Sequence, residues 1–145
     1  MSIMGYITYE MMQELKNVNF RFPAYEHFLN YGMWYYYQGD EYVIGGNSLS
    51  VFSAMDRLVA RDGCWLPTDS QLLQWLALVK IDVCIRLDAG EQRYHIEAQD
   101  RINGTIYNSC GRVLAFALAV LIRKICKSNL RPYVPDEFDR LEING

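Results

Sequence analysis

Ile81-Asp82-Val83-Cys84-Ile85-Arg86-Leu87-Asp88-Ala89-Gly90-Glu91-Gln92-Arg93-Tyr94-His95-Ile96-Glu97-Ala98-Gln99 is where the chain changes period. Apolar and polar side chains alternate from Ile81 to Asp88 and again from Tyr94 to Gln99. Period two marks a strand with one buried and one wet face. Between the runs, Gly90-Glu91 with glycine first predicts a type II′ turn. The resulting register sets Leu87 opposite Tyr94 and Ile85 opposite Ile96 on the buried face. On the other face it sets Arg86 opposite His95, Asp88 opposite Arg93 and Cys84 opposite Glu97. One register satisfies both faces, so an antiparallel hairpin is predicted.

The flanking segments read as its partners. Downstream, Asn103-Gly104 predicts a second hairpin turn, returning Thr105-Ile106-Tyr107 as a short third strand. Ser109 is then placed to cap a helix running to about Lys127. The middle of that helix is apolar on nearly every side, which predicts burial between the sheet and other helices. Upstream, Thr68-Asp69-Ser70-Gln71 has the spacing of a capping box, ahead of a face formed by Leu72, Leu73, Trp75, Leu76 and Val79. Val51, Phe52, Met55, Leu58 and Val59 recur at helical spacing as far as Gly63. Near the N-terminus Thr8 can cap a helix striped by Met11, Met12, Leu15 and Val18. Residues 24–31, between Pro23 and Gly32, read either as a short helix or as a loop packed through Tyr25, Phe28 and Leu29. The fold class expected is α+β: an antiparallel sheet built from hairpins against amphipathic helices, a layered sandwich. Residues 1–128 form one domain on this reading, and 129–145, with Pro132 and Pro135, an extended tail draped over it.

The remaining unit is Met33-Trp34-Tyr35-Tyr36-Tyr37-Gln38-Gly39-Asp40-Glu41-Tyr42-Val43-Ile44, an aromatic hairpin with a turn at its centre. Trp34 and Tyr36 point one way along such a strand, and Tyr35 and Tyr37 the other. A small hairpin rarely buries both sets, so Trp34, Tyr35, Tyr36, Tyr37 and Tyr42 are candidates for a contact surface. The competing reading is that they cover a helix or the main sheet.

Composition narrows the function classes. With 145 residues, half of them apolar, the chain is long enough for one real core. A net charge of −3 gives no electrostatic case for a nucleic acid or a membrane surface. The longest apolar run, Val113 to Ile122, is half of the ~20 residues that a bilayer crossing needs. Cys64, Cys84, Cys110 and Cys126 are widely spaced without a CxxC pair, so no metal site is expected. No signal peptide is read, and Cys126 and Cys110 adjoin an apolar helix. Reduced cysteines in a cytoplasmic protein are therefore expected.

Catalytic patterns are few. No Gly-x-Ser-x-Gly elbow or phosphate-binding glycine loop occurs, and no cofactor is expected. His27 lies on an aromatic-rich segment and reads as structural. Arg86, His95 and Glu97 share one strand face and form an alternative ligand site, which Cys84 could join as a thiol. Cross-strand charge pairing on a solvated face produces the same pattern.

The order of units resembles that of small phage and prophage proteins, some built as α/β/α sandwiches. The likeness lies in Tyr6-Ile7-Thr8-Tyr9-Glu10, a Tyr/Gly-rich segment, Leu66-Pro67-Thr68 through Trp75-Leu76, alternating strands, and a final helix with Ala115, Ala117 and Ala119. It covers roughly residues 6–127, while the helix at 49–63 and the proline-containing tail depart from it. The resemblance implies no catalytic residues. The expected function is a non-enzymatic interaction domain that binds or inhibits a bacterial host defence or regulatory protein. A homodimer through the aromatic hairpin is the further alternative.

Overall fold

Thr8 holds extended backbone, and its hydroxyl accepts the Met11 amide at 3.2 Å, starting α1 (Tyr9–Asn17) where the sequence predicts. The computed structural model describes residues 5–46 and 52–135. Met12 and Leu15 are the buried positions of α1. Residues 23–27 follow as successive turns, so the short helix expected at 24–31 is replaced by its alternative, a packed loop. Tyr25 is buried there, and His27 has a φ of 61°, a left-handed conformation that breaks any helix.

The aromatic hairpin forms as β1 (Trp34–Tyr37) and β2 (Asp40–Val43). Gln38 and Gly39 between them have φ of 50° and 90°, the conformation of a type I′ turn. Next comes α2 (Ala54–Asp62), and the predicted helical stripe stops at Gly63 as expected. Val51 lies outside the described residues, and the helix starts later than the periodicity suggests, at a capping box. The Ser53 hydroxyl accepts the Asp56 amide at 3.0 Å, and Asp56 accepts the Ser53 amide at 2.9 Å. A short strand unforeseen in the sequence, β3 (Cys64–Leu66), then pairs antiparallel with β1. The first sheet thus has the order β2-β1-β3, with β1 in the middle.

The Thr68 box opens α3 (Asp69–Leu78) as predicted, with Leu72, Trp75 and Leu76 buried. The second sheet is β4 (Ile81–Asp88), β5 (Arg93–Asp100) and β6 (Ile106–Gly111), in that order. Its β4–β5 register agrees with the sequence reading at every pair named above. The turn differs. Gly90 has no positive φ, while Gln92 has φ 54° and the Asp88 carboxylate captures the Glu91 amide at 3.0 Å. That side-chain bond turns the chain without the left-handed glycine that a type II′ turn requires.

Ser109 caps nothing. β6 continues through it to Gly111, and the last helix, α4 (Leu114–Lys127), begins after Val113 without a side-chain cap. The reason is packing. Ser109 is small, buried, and donates to the Ala117 carbonyl at 2.9 Å, which lets the helix lie close on the strand. At Gly111 even a Cβ would come within 3.3 Å of the Ala117 Cβ. Cys110, expected against an apolar helix, instead points from β6 into solvent.

Helix α4 lies between the second sheet and helices α1 and α3, with Ala117, Leu118, Leu121, Ile122 and Ile125 buried. The class is α+β, with two small antiparallel sheets where one layered sandwich was expected. Part of the predicted tail also belongs to the body, because Tyr133 and Pro135 are buried.

Candidate functional site

Side-chain placement separates the two predicted sites. On β1, Trp34 stacks on Tyr6 (centroids 4.4 Å apart, 16° between planes) and Tyr36 on Tyr9 (4.0 Å, 21°). The Tyr6 hydroxyl donates to Glu41 at 2.8 Å, and its phenol is pushed up to about 12 by burial and by that carboxylate. On the opposite face Tyr35 is fully buried, and its hydroxyl donates to the Phe28 carbonyl at 3.0 Å. Burial raises its pKa further than that bond lowers it. Tyr35 therefore cannot belong to a contact surface, a correction to the sequence reading. Trp34, Tyr36, Tyr37 and Tyr42 are half-buried and pack against the core. The expectation that a small hairpin does not bury both sets of rings holds in part: Trp34, Tyr36, Tyr37 and Tyr42 keep partial exposure, while Tyr35 lies in the core, paired with Trp65 on the unforeseen third strand β3. Three residues are too few to show a period, so no signal in the sequence announced it.

The alternative residues do come together. Arg86 pairs with His95, and Cys84 with Glu97, on the face of the second sheet turned away from α4. Asn108 and Cys110 continue that face on β6, where they pair with Glu97 and His95. Cys84, Arg86, Glu97, Asn108 and Cys110 are exposed and His95 is half-buried. Cys84, Arg86, His95, Glu97 and Asn108 line a shallow groove of about 380 Å³.

The charge pairing departs from expectation. His95 Nε2 lies 2.9 Å from Glu91 Oε1, so the loop glutamate engages it rather than Glu97. Arg86 Nη1 approaches Asp88 at 3.6 Å. Arg93, opposite Asp88 in the register as predicted, turns to the Cys110 sulfur at 3.8 Å, and among the described residues it forms no ion pair with Asp88. The Glu91 and Gly90 amides and the Arg86 charge hold the Asp88 carboxyl below its ordinary range.

Two chemistries follow from this geometry. As a thiol site, Cys84 would need a base in hydrogen-bond reach. Among the described residues no hydrogen bond joins Cys84 to His95, whose Nε2 is taken by Glu91. As a metal site, one atom each of Asp88, Glu91 and His95 lie within 4.8 Å of one another, a grouping the sequence reading missed because Glu91 sits in the loop. His/carboxylate donors suit a borderline or hard divalent ion. The neighbouring Arg86 charge opposes a cation there.

A second polar cluster was also unforeseen. Asp100 is fully buried at the end of β5 and accepts from Tyr133 (2.7 Å), the Ile102 amide (2.8 Å) and Arg131 Nε (3.1 Å). Arg131 also donates to the Val79 carbonyl and lies 4.3 Å from the Tyr133 ring centre. These bonds tie the C-terminal segment to the body, and Arg131 and Tyr133 also line a groove of about 330 Å³ with Val18, Asn19 and Cys126.

No family model, curated protein or solved structure matches the chain. Among the described residues no helix is long and apolar enough to cross a membrane.

Proposed function

We propose that the chain is a non-enzymatic protein-interaction domain whose contact surface is the open face of the second sheet. The observation that carries this reading is the asymmetry of that sheet. One face lies under α4, while the other presents Arg86, Glu97 and Asn108 together with Ile106, which is 58% exposed. Strands of eight residues make the face about 26 Å long. A long, shallow surface mixing charge, amide and apolar groups suits a macromolecule, whereas small ligands select enclosed pockets. The resemblance set out above suggests a bacterial host defence or regulatory protein as the partner.

Affinity capture tests this with a variant carrying Glu97→Arg and Asn108→Arg, both solvent-facing changes at the centre of the face. The variant should keep the circular dichroism of the wild type and lose the captured partner. A partner that binds both proteins equally would place the contact elsewhere.

A further inference from the structure

Among the described residues β4 has one neighbouring strand, β5, and nothing pairs with its other edge. The direction of its backbone groups can be read from the ladder. The Asp100 amide donates to Thr105, across to the β6 side, and the Arg101 amide donates to the Lys80 carbonyl. Alternation then turns the even residues of β4 toward β5 and leaves the amides and carbonyls of Ile81, Val83, Ile85 and Leu87 facing outward. Those same residues carry the apolar face, and it is incompletely covered: Ile85 is 37% and Leu87 58% exposed. The sequence pattern had placed both on a buried face.

Exposed edges are ordinarily blunted by proline, bulges or inward-pointing charges. β4 has none of these, and its charges follow a self-complementary order, Asp82-Val83-Cys84-Ile85-Arg86. We propose that two chains join edge to edge through antiparallel β4 strands, with Cys84 opposite its own copy at the two-fold axis. That register sets Asp82 against the second copy's Arg86, and Arg86 against its Asp82. On the other face it sets Val83 against Ile85, and Ile81 against Leu87, so the exposed apolar side chains gain apolar partners. Lys80, just before the strand, falls opposite Asp88. Shifting the axis to Ile85 would oppose Asp82 to Asp88, two like charges, and shifting it to Val83 would leave Leu87 without a partner. The favoured pairing is isologous and closed, as a two-fold dimer requires, and it yields one continuous six-stranded sheet. It goes beyond the interaction reading, because it joins two open faces into one.

Sedimentation and light scattering on the full chain test the pairing. The wild type should have twice the monomer mass. Asp82→Arg, which sets Arg against Arg across the axis, should halve that mass, and adding Arg86→Asp should restore it. Ile85→Pro removes an outward amide while sparing the ladder to β5, and should also give the monomer. At the axis Cys84 pairs with its copy at a non-hydrogen-bonded position, where Cα atoms lie about 4.5 Å apart, within disulfide range. Mild oxidation with diamide should therefore cross-link the dimer, and Cys84→Ser should abolish the cross-link. A wild type that stays monomeric at several hundred micromolar would overturn the proposal. So would a dimer that survives both Asp82→Arg and Ile85→Pro. The Glu97→Arg/Asn108→Arg variant lies off this edge and should remain dimeric, so loss of partner capture and loss of the dimer are separable results.

Discussion

Asp100 shows how one buried carboxylate can fasten a chain end. Burial alone would raise its pKa, but the bonds from Tyr133, Ile102, Arg131 and Asn103 outweigh that and hold it below the ordinary carboxylate range. In the unfolded chain its pKa returns to about 3.9. Between the folded and unfolded values the unfolded state binds more protons, so stability falls as the pH drops through that window. The contribution is fully present at neutral pH. Asp100→Asn should cost about 3 kcal/mol at pH 7, the order expected for breaking a buried pair. The variant should also lose less stability than the wild type on acidification below pH ~4. Urea unfolding at both pH values checks this, and equal acid sensitivity of the two proteins would show that Asp100 is not the titrating group. Nothing in the sequence marks Asp100, because its partners Arg131 and Tyr133 lie 31 and 33 residues away. The pairings on β4 and β5 were legible because period two encodes them locally.

At the scale of elements, caps proved readable where the signal was complete. Thr68 and Gln71 form the box that their spacing predicts, and Gln71 does more than expected. Its Oε1 accepts both the Thr68 amide at 3.0 Å and the Trp65 indole N–H at 3.2 Å, joining α3 to β3. Thr68→Ala should cost about 1 kcal/mol as an ordinary cap loss. Gln71→Ala should cost more, about 2 kcal/mol, because a buried indole donor also loses its acceptor. Thermal unfolding of the two variants gives the order, and equal shifts would mean that the indole bond contributes nothing. Ser109 shows the opposite case. A serine after a strand and before an apolar helix reads as a cap, but a small residue is also what a strand needs under a closely packed helix. Only the helix position decides between them. β3 went unseen for a related reason, since its existence depends on pairing with β1, far along the chain.

For the molecule as a whole, the fate of the aromatic hairpin decides where function can lie. With Tyr6 and Tyr9 stacked on Trp34 and Tyr36, and Trp65 paired with Tyr35, β1 is the middle strand of a sheet and its rings take part in packing. Tyrosine-rich segments give no hint of this placement, because the same rings serve a core and a contact surface equally well. The choice was made by two segments whose own sequences carry no strand period, residues 5–9 and β3. Replacing both Trp34 and Tyr36 by Ser should thus act on stability. Full burial would put each loss at about 3–5 kcal/mol, and half-burial reduces the pair to about 4 kcal/mol in total. Against a typical domain stability of about 5–15 kcal/mol, that change would leave a marginal fold. Urea titration beside the Glu97→Arg/Asn108→Arg protein separates the two surfaces. The serine variant should show a much lower midpoint, and the open-face variant a midpoint near that of the wild type. A serine variant as stable as the wild type would return the aromatic hairpin to the surface and make it the site to pursue.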